Sequence, residues 1–206
     1  MKASVLALAI LALAGLGLPA EAARQEGWPC IQRKVPKLTP GAYWNGPSIE
    51  GLSWRDDREV ANLVAAIVSR RTPEKDAEQM IADFAKKHEA EKEQKLTLLF
   101  AGVFHEINAL RSDIISGIER FMKNQEARAD QLTKARAELE ALAEKPDKTE
   151  ADMAKLNELQ TAVQWLIRIY DDRESTLTYI CETPVLLEQR LFALARAIQS
   201  HLSTSG

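Results

Sequence analysis

From Asp56 onward, apolar residues recur at intervals of three and four, the period of amphipathic helices. Two short helices come first. Asp56 and Asp57 can cap one whose apolar face is Val60, Leu63, Val64, Ile67 and Val68. Thr72-Pro73-Glu74 reads as a second start, with Thr at the N-cap, Pro at the first helical position and an acid in the first turn; its face is Ala77, Met80, Ile81, Phe84 and Ala85. The stretch from Glu91 to Lys145 contains no proline and only Gly102 and Gly117 as weak points. Its apolar positions Leu99, Val103, Ile107, Leu110, Ile114, Ile118 and Phe121 keep the period of a straight helix. At ~1.5 Å per residue such a helix is about 80 Å long, more than a compact domain of this mass covers.

Pro146-Asp147-Lys148-Thr149 stops that helix, and Thr149-Glu150 starts another whose seam reads as Met153, Leu156, Gln160, Val163, Ile167, Tyr170, Leu177 and Cys181. Folding the chain back about this turn sets Leu142 opposite Met153, Leu139 opposite Leu156, Leu132 opposite Val163, Ile118 opposite Leu177 and Ile115 opposite Ile180. The same register sets Lys145 beside Glu150, Glu140 beside Lys155 and Lys123 beside Asp172. One register thus satisfies both apolar positions and charges. Near the turn the seam is thin; toward the other end Phe100, Phe104, Phe121, Trp165, Leu166, Ile169 and Ile180 make both helices broadly apolar, so the helices of residues 56–90 pack there. Thr183-Pro184 is expected to end the helix, with a last amphipathic helix returning through Leu187, Leu191, Leu194, Ala195, Ile198 and Leu202. The predicted fold is all-α. A small helical bundle head carries a long antiparallel coiled-coil hairpin at about residues 123–172, within a helical domain of residues 56–206.

Residues 23–55 break the pattern. They hold Trp28, Trp44, Trp54 and Tyr43, with prolines at 29, 36, 40 and 47, which disfavour helix. So much ring surface is expected in an extended aromatic arm laid over the helical body. Before it, an apolar run from Val5 to Leu18 ends in Pro19-Ala20-Glu21-Ala22, small residues at the −3 and −1 positions of a signal-peptidase site. The run is shorter than the ~18 residues of a membrane span, so residues 1–22 are expected to be a cleaved signal peptide, leaving no transmembrane anchor in the mature chain. The Ala/Leu-rich leader and the lack of any Asn-x-Ser/Thr acceptor point to a bacterial periplasm.

Net charge is −3, with acids and bases interspersed, which argues against a nucleic-acid partner. The chain has two cysteines, Cys30 and Cys181. In an oxidising compartment they are expected to form a disulfide that staples the arm to the head; neither a C-x-x-C motif nor a neighbouring base favours redox catalysis. No Glu-x-x-His pair, Cys-x-x-Cys-His or His-Glu-x-x-His spacing nominates a metal or haem site, and no G-x-S-x-G, S-x-x-K or Gly-rich loop nominates nucleophilic or phosphate chemistry. No catalytic residue, metal ligand or cofactor site is assigned, and the expectation is a protein that is not an enzyme. Its expected role is to present the coiled-coil hairpin to an envelope partner protein, or to a second copy of itself. A second apolar stripe, Leu159, Ala162, Leu166 and Ile169, is the candidate contact face. Exported signal and coiled-coil arm together resemble, in architecture alone, small periplasmic helical chaperones, and a holdase is the alternative function.

Overall fold

The computed structural model describes residues 27–202; the expected signal peptide, residues 1–22, lies outside the described residues. After two 3-10 turns, Pro40–Ala42 and Trp54–Asp56, come α1 (Arg58–Val68) and α2 (Glu74–Lys87), then a 3-10 turn at Glu89–Glu91. Two long helices follow, α3 (Lys92–Glu144) and α4 (Glu150–Gln199). No strand occurs among the described residues, so the fold is all-α. No helix among them is long and apolar enough to cross a membrane.

Side chains fix where the helices begin. Asp57 caps α1, its Oδ1 accepting from the amides of Glu59 (3.0 Å) and Val60 (3.1 Å), while its Oδ2 accepts from Lys95 Nζ at 2.6 Å and ties α1 to α3. The Lys95 ammonium, then the Val60 amide, hold the Asp57 carboxyl below its ordinary range. Thr72 does not cap α2, whose N-cap is Pro73. Its hydroxyl instead donates to Ala66 O at 2.7 Å, closing the end of α1. Lys87 and His88, at the end of α2, both reach Glu59 on α1.

Residues 145–149 join α3 to α4. Asp147 turns the chain in the left-handed region (φ 53°), a conformation Asp tolerates better than most residues. Thr149 and Asp152 form a reciprocal capping box at the start of α4. Lys145 pairs with Asp152 at 2.6 Å rather than with the expected Glu150, because the capping box already brings the Asp152 carboxylate back over the turn. Lys155, expected beside Glu140, bonds Glu158 on its own helix.

The head is one cluster. Val60, Val64 and Ile67 of α1, Ala77, Ile81 and Phe84 of α2, and Leu96, Leu99, Phe100, Val103 and Ile107 of α3 meet Leu187, Leu191, Leu194 and Ile198 of α4. All these α4 residues lie beyond Pro184, where the sequence predicts a separate helix. The structure corrects that reading: α4 runs unbroken through Thr183 and Pro184 to Gln199. Buried and half-buried positions Leu156, Leu159, Val163, Leu166, Tyr170, Leu177, Ile180, Pro184, Leu187, Leu191, Leu194 and Ile198 hold a 3-4 spacing, interrupted only at exposed Arg173. Pro184 is therefore a buried member of the seam, and packing on both sides of it outweighs the local signal to stop.

At Gly102 the absence of a side chain lets α1 and α3 approach closely. A Cβ there would lie 2.6 Å from Val64 Cγ2 and 3.0 Å from the Trp54 ring, whereas at Gly117 the nearest atom would be 3.8 Å away. Gly102→Ala should destabilise the chain by about 1–3 kcal/mol through overpacking. Gly117→Ala should stabilise it by up to about 1 kcal/mol through helix propensity. Urea unfolding of the two variants checks the opposite signs. Asp57→Asn gives a second test, because Asn keeps the cap but not the charge. A carboxyl with a lowered folded pKa contributes stability that is present above its unfolded value, near pH 4, and lost as pH falls through the folded value. The stability drop between pH 7 and pH 3 should be smaller in Asp57→Asn than in the parent.

Candidate functional site

Two regions stand apart from the head core: the junction of the N-terminal segment with α4, and the outer halves of α3 and α4. At the junction Cys30 and Cys181 form a disulfide with Cα atoms 5.4 Å apart, closing a loop of 151 residues in sequence. Trp28, Cys30, Ile115 and Ile118 make a small cluster around it, with Ile180 packed alongside. Gln32 donates its side-chain amide to Cys181 O. Farther along, Lys34 pairs with Glu119, Leu38 N donates to Asn108 Oδ1 at 2.9 Å, and Ser112 Oγ donates to Pro36 O at 2.9 Å.

Arg111 is the polar centre of this junction. It is 3% exposed, donates from Nε to Glu188 Oε1 at 2.6 Å, and donates from Nη1 to Val35 O, so one guanidinium joins α3, α4 and the N-terminal segment. A charge so buried is tolerated because carboxylate and carbonyl take the place of water. Burial and the Glu188 carboxylate push the nearby Tyr43 hydroxyl up, with Arg111 opposing them. The Trp44 ring then stacks on Phe100 with centroids 4.2 Å apart and planes 5° from parallel, and Gln199 Nε2 donates to Tyr43 O.

Along the outer halves, α3 beyond Ile118 contributes a single buried side chain, Gln125. Its Nε2 donates to Tyr170 O at 3.3 Å while its Oε1 has no partner. The four residues expected to form a separate stripe do not share one surface. Leu159 is buried and Leu166 half-buried, both in the seam toward α3; Ile169 is half-buried and Ala162 exposed. Conversely Met153 and Gln160, read as seam residues, are exposed. The reason is the spacing. Carried back from the head, the 3-4 pattern lands on Leu159 rather than Gln160.

The residue the sequence reading misplaced is Trp165. Grouped by composition with the apolar base, it is 61% exposed. Helical spacing could have found it, since Ala162, Trp165 and Ile169 lie at i, i+3 and i+7 on one face.

Among the described residues, no group of three or more His, Cys, Asp or Glu is placed to hold a metal ion. A cleft of about 940 Å³ between α2 and α4 carries Glu74, Glu78, Arg196 and His201 on its walls, a mixture of charges without a shared focus. The chain matches no family model, no curated protein and no solved structure.

The seam can be tested at adjacent residues. Leu159→Asp puts a charge into a two-helix contact with no further layer to cover it, so residues 125–165 should exchange amide hydrogens rapidly while the head stays protected. Gln160→Asp should leave exchange unchanged. Mass-resolved hydrogen exchange on both variants distinguishes this spacing from the one that places Gln160 inside.

Proposed function

We propose that the chain is an exported, non-catalytic interaction protein. In this reading residues 23–55 form an arm that braces the head, and α3 and α4 form an antiparallel coiled-coil hairpin that the head presents to another protein of the bacterial envelope. The observation that carries the reading is Trp165, an indole 61% exposed on a helix pair whose own seam is thin. Tryptophan is among the residues most concentrated at the energetic centres of protein interfaces. Ala162 and Ile169 flank it on the same face, so the contact surface proposed is Ala162, Trp165 and Ile169, with Leu159 and Leu166 supporting it from the seam. Export is supported by the signal-like leader in the sequence, and the Cys30–Cys181 disulfide suits an oxidising compartment.

The test is a photo-crosslinking amino acid at position 165 in cells, with position 138, also exposed, as control. One discrete adduct from position 165 alone is the expected result. A continuous ladder of adducts would favour a holdase, and no adduct would overturn the reading. With the partner in hand, Trp165→Ala should weaken binding by about 2 kcal/mol, roughly thirtyfold, without changing the melting temperature of the free protein.

A further inference from the structure

A groove of about 760 Å³ runs between α1 and α3, on the head and away from Trp165. Its apolar lining comes from Ala61, Ala65 and Val68 of α1 and from Leu110 of α3, which is 44% exposed, and Trp54 also borders it. Its charge is one-sided. Glu106 is the only acid on its walls, and that carboxylate is taken by Arg55, whose guanidinium also lies over the Trp54 ring, 4.3 Å from the centroid. Arg70 and Arg71, just past the end of α1, are exposed and make no ion pair among the described residues.

The ordinary use of arginines beyond a helix is to satisfy its last carbonyls and oppose its dipole. Here two of those carbonyls are taken by other residues. Ile67 O accepts from Arg190 Nε and Nη2 at 3.0 and 2.6 Å, and Ala66 O accepts from the Thr72 hydroxyl. Two guanidinium groups are left over at one end of an apolar groove.

We infer that this groove binds a free single-chain anionic amphiphile, a long-chain carboxylate, with its head group at Arg70 and Arg71 and its acyl chain laid along Val68, Ala65 and Ala61 toward Trp54. The volume falls in the range of small-molecule sites. From Ala61 to Val68 the α1 wall spans ~10 Å, and Trp54 at one end with Arg70 and Arg71 at the other extend the groove toward the length of an extended chain of about twelve carbons. Small side chains at Ala61 and Ala65 leave room for it, and a guanidinium pair is suited to a carboxylate. A bilayer surface fits less well, because two arginines at one end of the groove fall short of the cluster of about four to eight basic residues that marks an anionic-lipid surface.

The test uses the full mature chain with laurate, dodecyltrimethylammonium and dodecyl maltoside, each below its micelle-forming concentration. Calorimetry should show laurate binding at one site and more tightly than the other two. Arg70→Gln/Arg71→Gln should lower laurate affinity about tenfold and leave dodecyl maltoside binding unchanged. Ala65→Phe should fill the groove and abolish binding of all three. Ala65 is exposed, so that variant should keep its melting temperature; if it does not fold, amide shifts in the parent must localise laurate to α1 and α3. Equal affinity for the three head groups, unchanged laurate binding in the arginine variant, or binding that survives Ala65→Phe would overturn the site. Sedimentation with phosphatidylglycerol vesicles is the last arm. Arginine-dependent binding to vesicles without binding to laurate would assign the arginines to a membrane surface and sink the proposal.

Discussion

A proline inside a helix costs about 3 kcal/mol, and the way this chain offsets that cost at Pro184 decides how its parts are joined. Pro184 has no amide for Ile180 O, and its ring crowds the turn before it. That turn is where the N-terminal segment is fixed. Cys181 is bonded to Cys30, Gln32 donates to Cys181 O, and Trp28 packs with Ile115 and Ile118 across on α3. On the other side, Leu187, Leu191, Leu194 and Ile198 hold the rest of α4 in the head core. The weakest turn of α4 is thus gripped from both directions. By the loop-entropy model the disulfide alone contributes roughly 3–5 kcal/mol against the unfolded chain, comparable with the cost of the proline.

Because α4 continues through Pro184, one seam serves two environments. Toward the end of α4 it faces α1, α2 and α3 together and is fully buried; toward the start it faces α3 alone. A two-helix contact cannot dehydrate its side chains as a bundle does, and the α3 side shows the difference. Its positions from Leu96 to Ile118 include many buried residues, whereas beyond them only Gln125 is buried. Leaving Gln125 Oε1 without a partner costs about 1–3 kcal/mol. A polar side chain in such a seam specifies register, because a slip would take its amide away from Tyr170 O and set it against apolar positions.

Much of this was legible in the chain. α1, α2 and α3 were readable because their caps, turns and apolar period agree, and the disulfide because only two cysteines exist. Thr72 was misplaced by one role, since a hydroxyl before Pro-Glu looks like a cap and nothing local reveals that Ala66 O is within its reach. Pro184 was misread for a related reason. A local breaker is visible in sequence, while the tertiary contacts that override it come from residues more than sixty positions away. The shift from Leu159 to Gln160 came from counting heptads outward from the turn, where apolar residues are sparse; counting from the dense end gives Leu159. Arginines just past a helix, as at Arg70 and Arg71, ordinarily serve its last carbonyls, and only the bonds from Arg190 show that Ile67 O is already taken.

Trp165 poses the sharpest question of energy. A tryptophan offers some 150–250 Å² for burial, so with 61% of its surface in water it forgoes on the order of 3 kcal/mol. Among the described residues nothing recovers this, because Trp165 is sixteen residues from Cys181, about 24 Å along a helix, and the head packs on the far side of that tie. Rotating α4 to bury the indole would expose Leu159 and Val163, which occupy the seam at present. The seam and the indole therefore compete for one interface with α3, and the seam takes it through repetition: several spaced apolar side chains outweigh a single large one. The 3-4 spacing of α4 is what keeps the indole outside that contact, and this is the surface on which the proposed interaction rests.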